Sequence, residues 1–227
     1  MSTPGPFAAR TAIFTRLRAA APAQSLTMPD VAAYYDASPL PGAADRMTRF
    51  SERARSWQAE VIETDRDHWL EALAGVLEAK GVRRLLAGRD TAIGHALETS
   101  SVPSQLHWYD DPIESCKDFL FDAVDAGITT ALGGIAETGS LILWPNRNEP
   151  RTLSLVPALH IAVLDARQLH ETLHDAMRAQ AWAADLPTNA LLVTGPSKTA
   201  DIQRLLVYGA HGPKQLVILL LRDEANL

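Results

Sequence analysis

Apolar positions along the chain change their period part-way, dividing a helical N-terminal region from a C-terminal region in which strands alternate with helices. From Phe7 to Ala20 the apolar residues Phe7, Ile13, Phe14 and Leu17 recur at roughly helical spacing. The stretch that follows contains Pro22, Pro29, Pro39, Pro41 and Gly42, so residues 1–42 are expected to form a helix and an extended arm. A second helix is expected from near Ala43 to about Glu63, with Met47, Phe50, Ala54, Trp57 and Val61 forming one buried stripe. Asp67 to Lys80 predicts a third, with Gly81 placed to stop it. Val82 to Leu86 is broken by Arg83 and Arg84, and Thr99 to Ser115 mixes polarity around Pro103 and Pro112, so the class of both segments stays open.

The C-terminal half is more regular. Ile161 to Leu164 predicts a buried strand, Ala166 to Gln180 a helix with Leu169, Leu173 and Met177 on one side, and Ala190 to Thr194 another strand. A helix from about Thr199 to Val207 and a last strand from Gln215 to Leu221 complete a β-α-β-α-β series. Strands too apolar to have a wet face, joined by single helices, are expected to lie parallel with both faces covered. The fold class is therefore α/β, an open, doubly wound, mostly parallel sheet with N-terminal helices. Glu149-Pro150 reads as a turn within one domain over residues 43–227.

Composition narrows the function. A net charge of -6 supplies no overall positive field for a phosphate backbone, so nucleic acid is not an expected partner. The chain has one cysteine, Cys116, which excludes an internal disulfide framework and a self-contained four-thiolate iron–sulfur cluster. Pro4, Gly5 and Pro6 with Arg10, Arg16 and Arg18 do not make a signal peptide, and the apolar runs fall short of the roughly 20 residues that span a bilayer. A soluble cytoplasmic protein without a membrane span is expected.

Three segments carry residues suited to chemistry. In Gly133-Gly134-Ile135-Ala136-Glu137-Thr138-Gly139-Ser140, glycines on both sides of a carboxylate predict a tight turn able to approach a ligand. Glu137 at its tip is a candidate nucleophile, base or hydrogen-bond acceptor, with Gly134, Thr138 and Gly139 as binding candidates; the alternative is a purely structural turn. In Thr194-Gly195-Pro196-Ser197-Lys198-Thr199-Ala200-Asp201, a strand opening into a helix through hydroxyls suits an anion, which marks Gly195, Ser197, Thr199 and Asp201. The spacing is not that of a P-loop, and a simple helix N-cap is the competing reading. His170-Glu171-Thr172-Leu173-His174 matches the zinc-hydrolase pattern, but no spacing marks a third ligand, and the solvated face of an amphipathic helix accounts for it; no metal site is assigned. Arg151, His160 and His211 complete the candidates for binding a carboxylate or an acidic partner.

Four of these blocks, in order and spacing, resemble a known family. Gly134 to Ser140, then Ser154-Leu155-Val156-Pro157 with His160-Ile161, then Gly195 to Ile202, then Gly209-Ala210-His211-Gly212-Pro213 are similar to the LUD-domain family of lactate utilization C proteins (LutC). The resemblance spans about Gly127 to Leu221. It implies a fold like that of the NagB/RpiA and CoA-transferase superfamily and a role in oxidising L-lactate to pyruvate beside iron–sulfur partner proteins. Under that implication this chain binds no cofactor alone, the clusters reside on partners, and the chain is a non-redox subunit holding a small anionic ligand. Its two loops, Gly134 to Ser140 and Gly195 to Asp201, are expected to share one pocket. A stand-alone enzyme acting through Glu137 on a sugar phosphate, acyl-CoA or organic acid is the alternative, and a zinc hydrolase through His170, Glu171 and His174 a third.

Overall fold

The computed structural model describes residues 6–20, 27–36, 43–200 and 206–222. The chain divides into two compact units, Met1–Pro39 and Leu40–Leu227. The first contains α1 (Pro6–Ala19) and, within the expected arm, a short α2 (Val31–Asp36). Pro22, Pro39, Pro41 and Gly42 lie outside the described residues.

The second unit is built on six parallel strands. They are β1 (Glu60–Thr64), β2 (Arg84–Ala87), β3 (Gln105–Trp108), β4 (Ala126–Thr130), β7 (Leu159–Asp165) and β12 (Gln215–Leu221), in the spatial order β1-β12-β7-β4-β2-β3. Side chains alternate across a strand. In β12, Val217 and Leu219 join Ile161 and Val163 of β7 under α4 (Trp69–Ala79) and α5 (Ala92–Glu98). Leu216, Ile218 and Leu220 join Ala162 and Leu164 on the opposite face, against Phe50 and Ala54 of α3 (Ala43–Ser56). Covering both faces is why these strands read as unbroken apolar runs, and it gives the doubly wound sheet expected from them.

A smaller mixed sheet rests on the α3 face. Its order is β8-β5-β6-β9, from β5 (Gly133–Ile135), β6 (Ser140–Leu143), β8 (Leu169–His170) and β9 (Leu191–Val193), with β5 and β6 forming an antiparallel hairpin. Leu141, Leu143 and Leu169 enter the same core as Phe50.

Several elements differ from the periodicity. The helix expected to Glu63 ends at Ser56; the chain reverses through Gln58 at φ 68° and Val61 pairs with Ile218 as an edge strand. Ala166 to Gln180 is not one helix. A 3-10 turn (Ala166–Gln168) leads to β8, where Leu169 pairs with Gly134, and α8 (Leu173–Ala179) starts afresh from a capping box of Thr172 and Asp175. The strand near Ala190 pairs antiparallel with β6 rather than entering the large sheet. In place of the start and end of a helix over Thr199–Val207, β10 (Lys198–Ala200) and β11 (Leu206–Tyr208) pair antiparallel, as the β-branched and aromatic Thr199, Val207 and Tyr208 favour. The open segments resolve as β2, β3 and the start of α6 (Ile113–Asp122), while α4 ends at Ala79, with Gly81 just beyond its cap at φ 64° as the stop expected there. Among the described residues no helix is long and apolar enough to cross a membrane.

His160, on β7, is wholly buried, with Nε2 2.9 Å from Thr129 Oγ1. Burial pushes its pKa down to about 4, so the imidazole is neutral in the native protein. The folded value lies below that of the unfolded chain, which therefore takes up the proton first on acidification. Stability is fully present above about pH 6.5 and is lost as pH falls toward 4, by on the order of 3 kcal/mol in all. His160→Gln is expected to be less stable at neutral pH and to lose this part of the acid dependence, measured by urea denaturation across that range.

Candidate functional site

In open parallel sheets ligands bind beyond the carboxyl ends of the strands, where the strand order reverses. Here β2 leads outward to β3, and the chain then returns to β4 on the other side of β2, so the reversal lies between β2 and β4. That position is filled from within. Glu149 Oε1 accepts hydrogen bonds from the backbone N–H and the hydroxyl of Thr130, at the end of β4, at 3.0 and 3.1 Å. Asn148 Nδ2 donates to the Asp90 carbonyl beyond β2 at 3.0 Å, fastening the 145–150 segment over the crevice. Desolvation raises the pKa of Glu149, opposed by the two Thr130 bonds. A cavity of about 10 Å³ between Thr130, Glu149 and Leu143, on the scale of one water molecule, is what is left beside this carboxylate.

A larger open cleft lies between α3 and the smaller sheet. Two glycine turns make it. Gly139 adopts φ 70° and lies so close to the last turn of α3 that a Cβ would strike the Ala54 nitrogen; Gly195 adopts φ 79° and would strike the Trp57 carbonyl oxygen. Only glycine allows both the left-handed backbone and this approach. The β5–β6 turn and the end of β9 therefore close onto the same helix end.

The resulting cleft has a volume of about 450 Å³. Glu137, Thr138 and Ser140 line one side, Arg53 and Trp57 come from the end of α3, and Leu173, Leu192 and Thr194 complete the wall. Thr138 Oγ1, Ser140 Oγ and Thr194 Oγ1 form a continuous hydroxyl series, with separations of 2.8 and 2.6 Å. A guanidinium and aligned hydroxyls are suited to a carboxylate, while Trp57, Leu173 and Leu192 offer apolar surface.

A buried ion pair holds the base of this arrangement. Glu171 is only 7% exposed and accepts from Arg49 Nη2 at 2.7 Å, while Arg46 donates to the Leu169 carbonyl at 3.0 Å. The backbone of Ala136 donates to the His170 carbonyl and that of Glu137 to the Glu171 carbonyl, at 2.8 and 3.0 Å. The ion pair thus ties α3 to the residue after β8, the strand whose neighbour β5 leads into the Glu137 turn. The zinc-like pattern is distributed over different elements: His170 lies on β8, Glu171 is engaged with Arg49, and His174 lies in the first turn of α8. The single helix needed for two histidines one turn apart is not formed, because Leu169 and His170 join the small sheet. No group of three His, Cys, Asp or Glu able to hold a metal occurs among the described residues.

Of the residues marked in the sequence, Glu137 and Thr138 line the cleft, and Gly139 and Gly195 shape its walls. Gly134 is buried on β5, where a Cβ would come within 2.7 Å of Leu169 Cδ2 and 2.9 Å of Phe50 Cε2, so it serves packing. Ser197 opens no helix. Its backbone N–H donates to the Pro213 carbonyl and its carbonyl accepts from Gly209, both at 2.9 Å, joining it to the turn that carries exposed His211. Thr199 lies on β10, Arg151 is exposed at the start of α7 (Arg151–Leu155), and His160 is in the core. Asp201 lies outside the described residues. Arg53, Leu192 and Thr194 are not marked by the sequence pattern, and Trp57, expected in the buried stripe, is 49% exposed just past the end of α3; only the spacing of Arg49 and Arg53, one helical turn apart, hints at a basic helix face.

Residues 47–221, most of the chain, match the LUD domain family. The chain belongs to the LUD domain family. An uncharacterized protein of Neisseria meningitidis is 35% identical over 178 residues, covering 77% of this chain and 76% of that protein. Lactate utilization protein C of Macrococcus caseolyticus is 26% identical over 177 residues, covering 73% of each, and that of Halalkalibacterium halodurans is 27% identical over 179, covering 77% of this chain and 78% of the relative. The crystal structure of a DUF162 family protein from Deinococcus radiodurans superposes with a TM-score of 0.59 at 21% identity, over 80% of this chain and 99% of that one, which establishes the shared fold. The LUD match includes α3 from Met47 onward, both glycine turns and the whole large sheet.

Gly139→Ala places a side chain in the left-handed region against the backbone of α3. It is expected to lower stability by at least about 2 kcal/mol. Glu171→Ala, which leaves Arg49 without its buried carboxylate, is expected to cost about 3 kcal/mol. Urea denaturation of each variant measures both.

Proposed function

We propose that this LUD domain is a ligand-binding subunit of a lactate utilization system, in which L-lactate is oxidised to pyruvate together with iron–sulfur partner proteins. The cleft between α3 and the β5–β6 hairpin receives the small acid. The carrying observation is the convergence of Arg53 with the Thr138, Ser140 and Thr194 hydroxyls beside the apolar surface of Trp57 and Leu192. Arg53 and the hydroxyls bind the carboxylate, the apolar wall receives the methyl group, and Glu137 accepts a hydrogen bond from the 2-hydroxyl. The relatives named lactate utilization protein C support the pathway. With Cys116 as the one cysteine, a four-thiolate cluster needs other chains.

A strain lacking this chain is expected to fail to grow on L-lactate, and the tagged chain to co-purify with iron–sulfur proteins; normal growth removes the pathway assignment. Arg53→Ala is expected to weaken lactate or pyruvate binding about tenfold or more by calorimetry, through loss of a charge-assisted contact, without altering the melting temperature.

A second reading is favoured by the exposed position of Glu137 in the cleft. There the carboxylate acts as base or nucleophile in a stand-alone enzyme acting on a sugar phosphate, acyl-CoA or organic acid. Purified protein then turns over such a substrate without partners, and Glu137→Gln abolishes turnover while keeping the fold. Absence of turnover without partners removes this reading.

A further inference from the structure

Building on the assignment of the small acid to the α3 cleft, we propose that this cleft takes 2-hydroxy acids with a branched or aromatic apolar side chain in preference to lactate, the smallest member of that class. A three-carbon acid has six non-hydrogen atoms. Even if each is allowed the liquid-volume share of a water molecule, about 30 Å³, the acid fills at most about 180 Å³. The cleft measures about 450 Å³, within the range of pockets that hold drug-sized molecules. Lactate therefore leaves more than half of it to water.

Apolar side chains face that remaining space. Trp57 and Leu192 are 49% and 48% exposed, and half-buried Leu173 joins them on the lining. Covering such surface removes it from water, worth about fourfold in affinity for each methylene buried. The wall is set before any ligand arrives. The Trp57 N–H donates to the carbonyls of Arg53 and Ala54 at 3.2 and 3.1 Å, Gly195 lies against the Trp57 carbonyl, and Leu192 is paired with Ile142 in the small sheet. Little ordering cost then opposes the gain from burial.

Charge restricts what can extend the acid. Among the described residues lining the cleft, Arg53 is the one cation, and the carboxylate of the acid engages it. Arg49, one turn earlier on α3, is committed to Glu171 at 2.7 Å. A second anionic group on the ligand therefore meets no free counter-charge and shares the lining with the Glu137 carboxylate, so it incurs desolvation and like-charge repulsion. An apolar extension incurs neither. Size and charge together thus select a monoanion whose added bulk is hydrocarbon.

Calorimetric titration of the full chain with L-lactate, L-2-hydroxyisocaproate, L-phenyllactate and L-malate tests the preference. At least one of the two larger monoanions is expected to bind about tenfold or more tightly than lactate, the scale of two buried methylenes, while malate, extended by a second carboxylate, gains nothing. Leu192→Ala shortens the apolar wall and is expected to narrow that preference about threefold or more. Lactate bound as tightly as both larger acids, with Arg53→Ala weakening all three, overturns the preference and leaves the lactate site standing. A gain by malate equal to that of the larger monoanions, or an unchanged preference in Leu192→Ala, also overturns it. Binding of none of the four removes the preference together with the site on which it rests. The titrations of the native chain decide the matter if the Leu192 variant fails to fold.

Discussion

Two backbone turns approach the last turn of α3 more closely than any side chain would allow, and the geometry of the cleft depends on that approach. Gly139 brings in the β5–β6 hairpin, and Gly195 brings in the end of β9. Each has the left-handed backbone for which glycine is the favoured residue. Because both meet one rigid helix end, the hydroxyls of Thr138, Ser140 and Thr194 align into a continuous series. The helix end is rigid because Phe50 and Ala54 are packed, fully buried, against the large sheet.

The large sheet contributes support rather than its usual ligand crevice. At the reversal of strand order, the Glu149 carboxylate covers the end of β4, and Thr130 donates to it twice. Beside that carboxylate only a cavity of about 10 Å³ remains, whereas the cleft on the smaller sheet measures about 450 Å³. The buried pair of Glu171 and Arg49 then fixes the smaller sheet relative to α3. A buried pair of this kind contributes little net stability, but its geometry is demanding, so it favours one docking of strand on helix over neighbouring registers.

How legible the molecule is in its sequence depends on whether local pattern or distant pairing controls each segment. The apolar runs Ile161 to Leu164 and Gln215 to Leu221 announce doubly covered parallel strands, because burial on both faces leaves no polar alternation to confuse the period. Ala166 to Gln180 misleads for the opposite reason. Its apolar residues have helical spacing, yet Leu169 and His170 pair with Gly134 and Ile135, more than thirty residues away, and the chain restarts its helix at Thr172. The Thr199 to Val207 segment is similar: its ends find more ladder hydrogen bonds with each other than local periodicity reveals. In the cleft, Glu137, Thr138 and the two glycine turns stand out as unusual chemistry, whereas Arg53 is an ordinary residue of an amphipathic helix, and Trp57 an ordinary residue just past its end, until the turns reach them.

The amino-acid sequence by itself determined the α/β class, the covered parallel strands, the glycine-flanked carboxylate and the want of thiolates for a cluster, since each follows from composition or from spacing within one segment. Tertiary structure alone decided that Glu149 seals the sheet's own crevice, that Glu171 pairs with a helix more than a hundred residues earlier, and that Ser197 turns toward Gly209 and Pro213 rather than toward Glu137. Those outcomes are contacts between segments remote in sequence. They are selected by packing and by the cost of leaving buried polar groups unpaired, which no local pattern encodes.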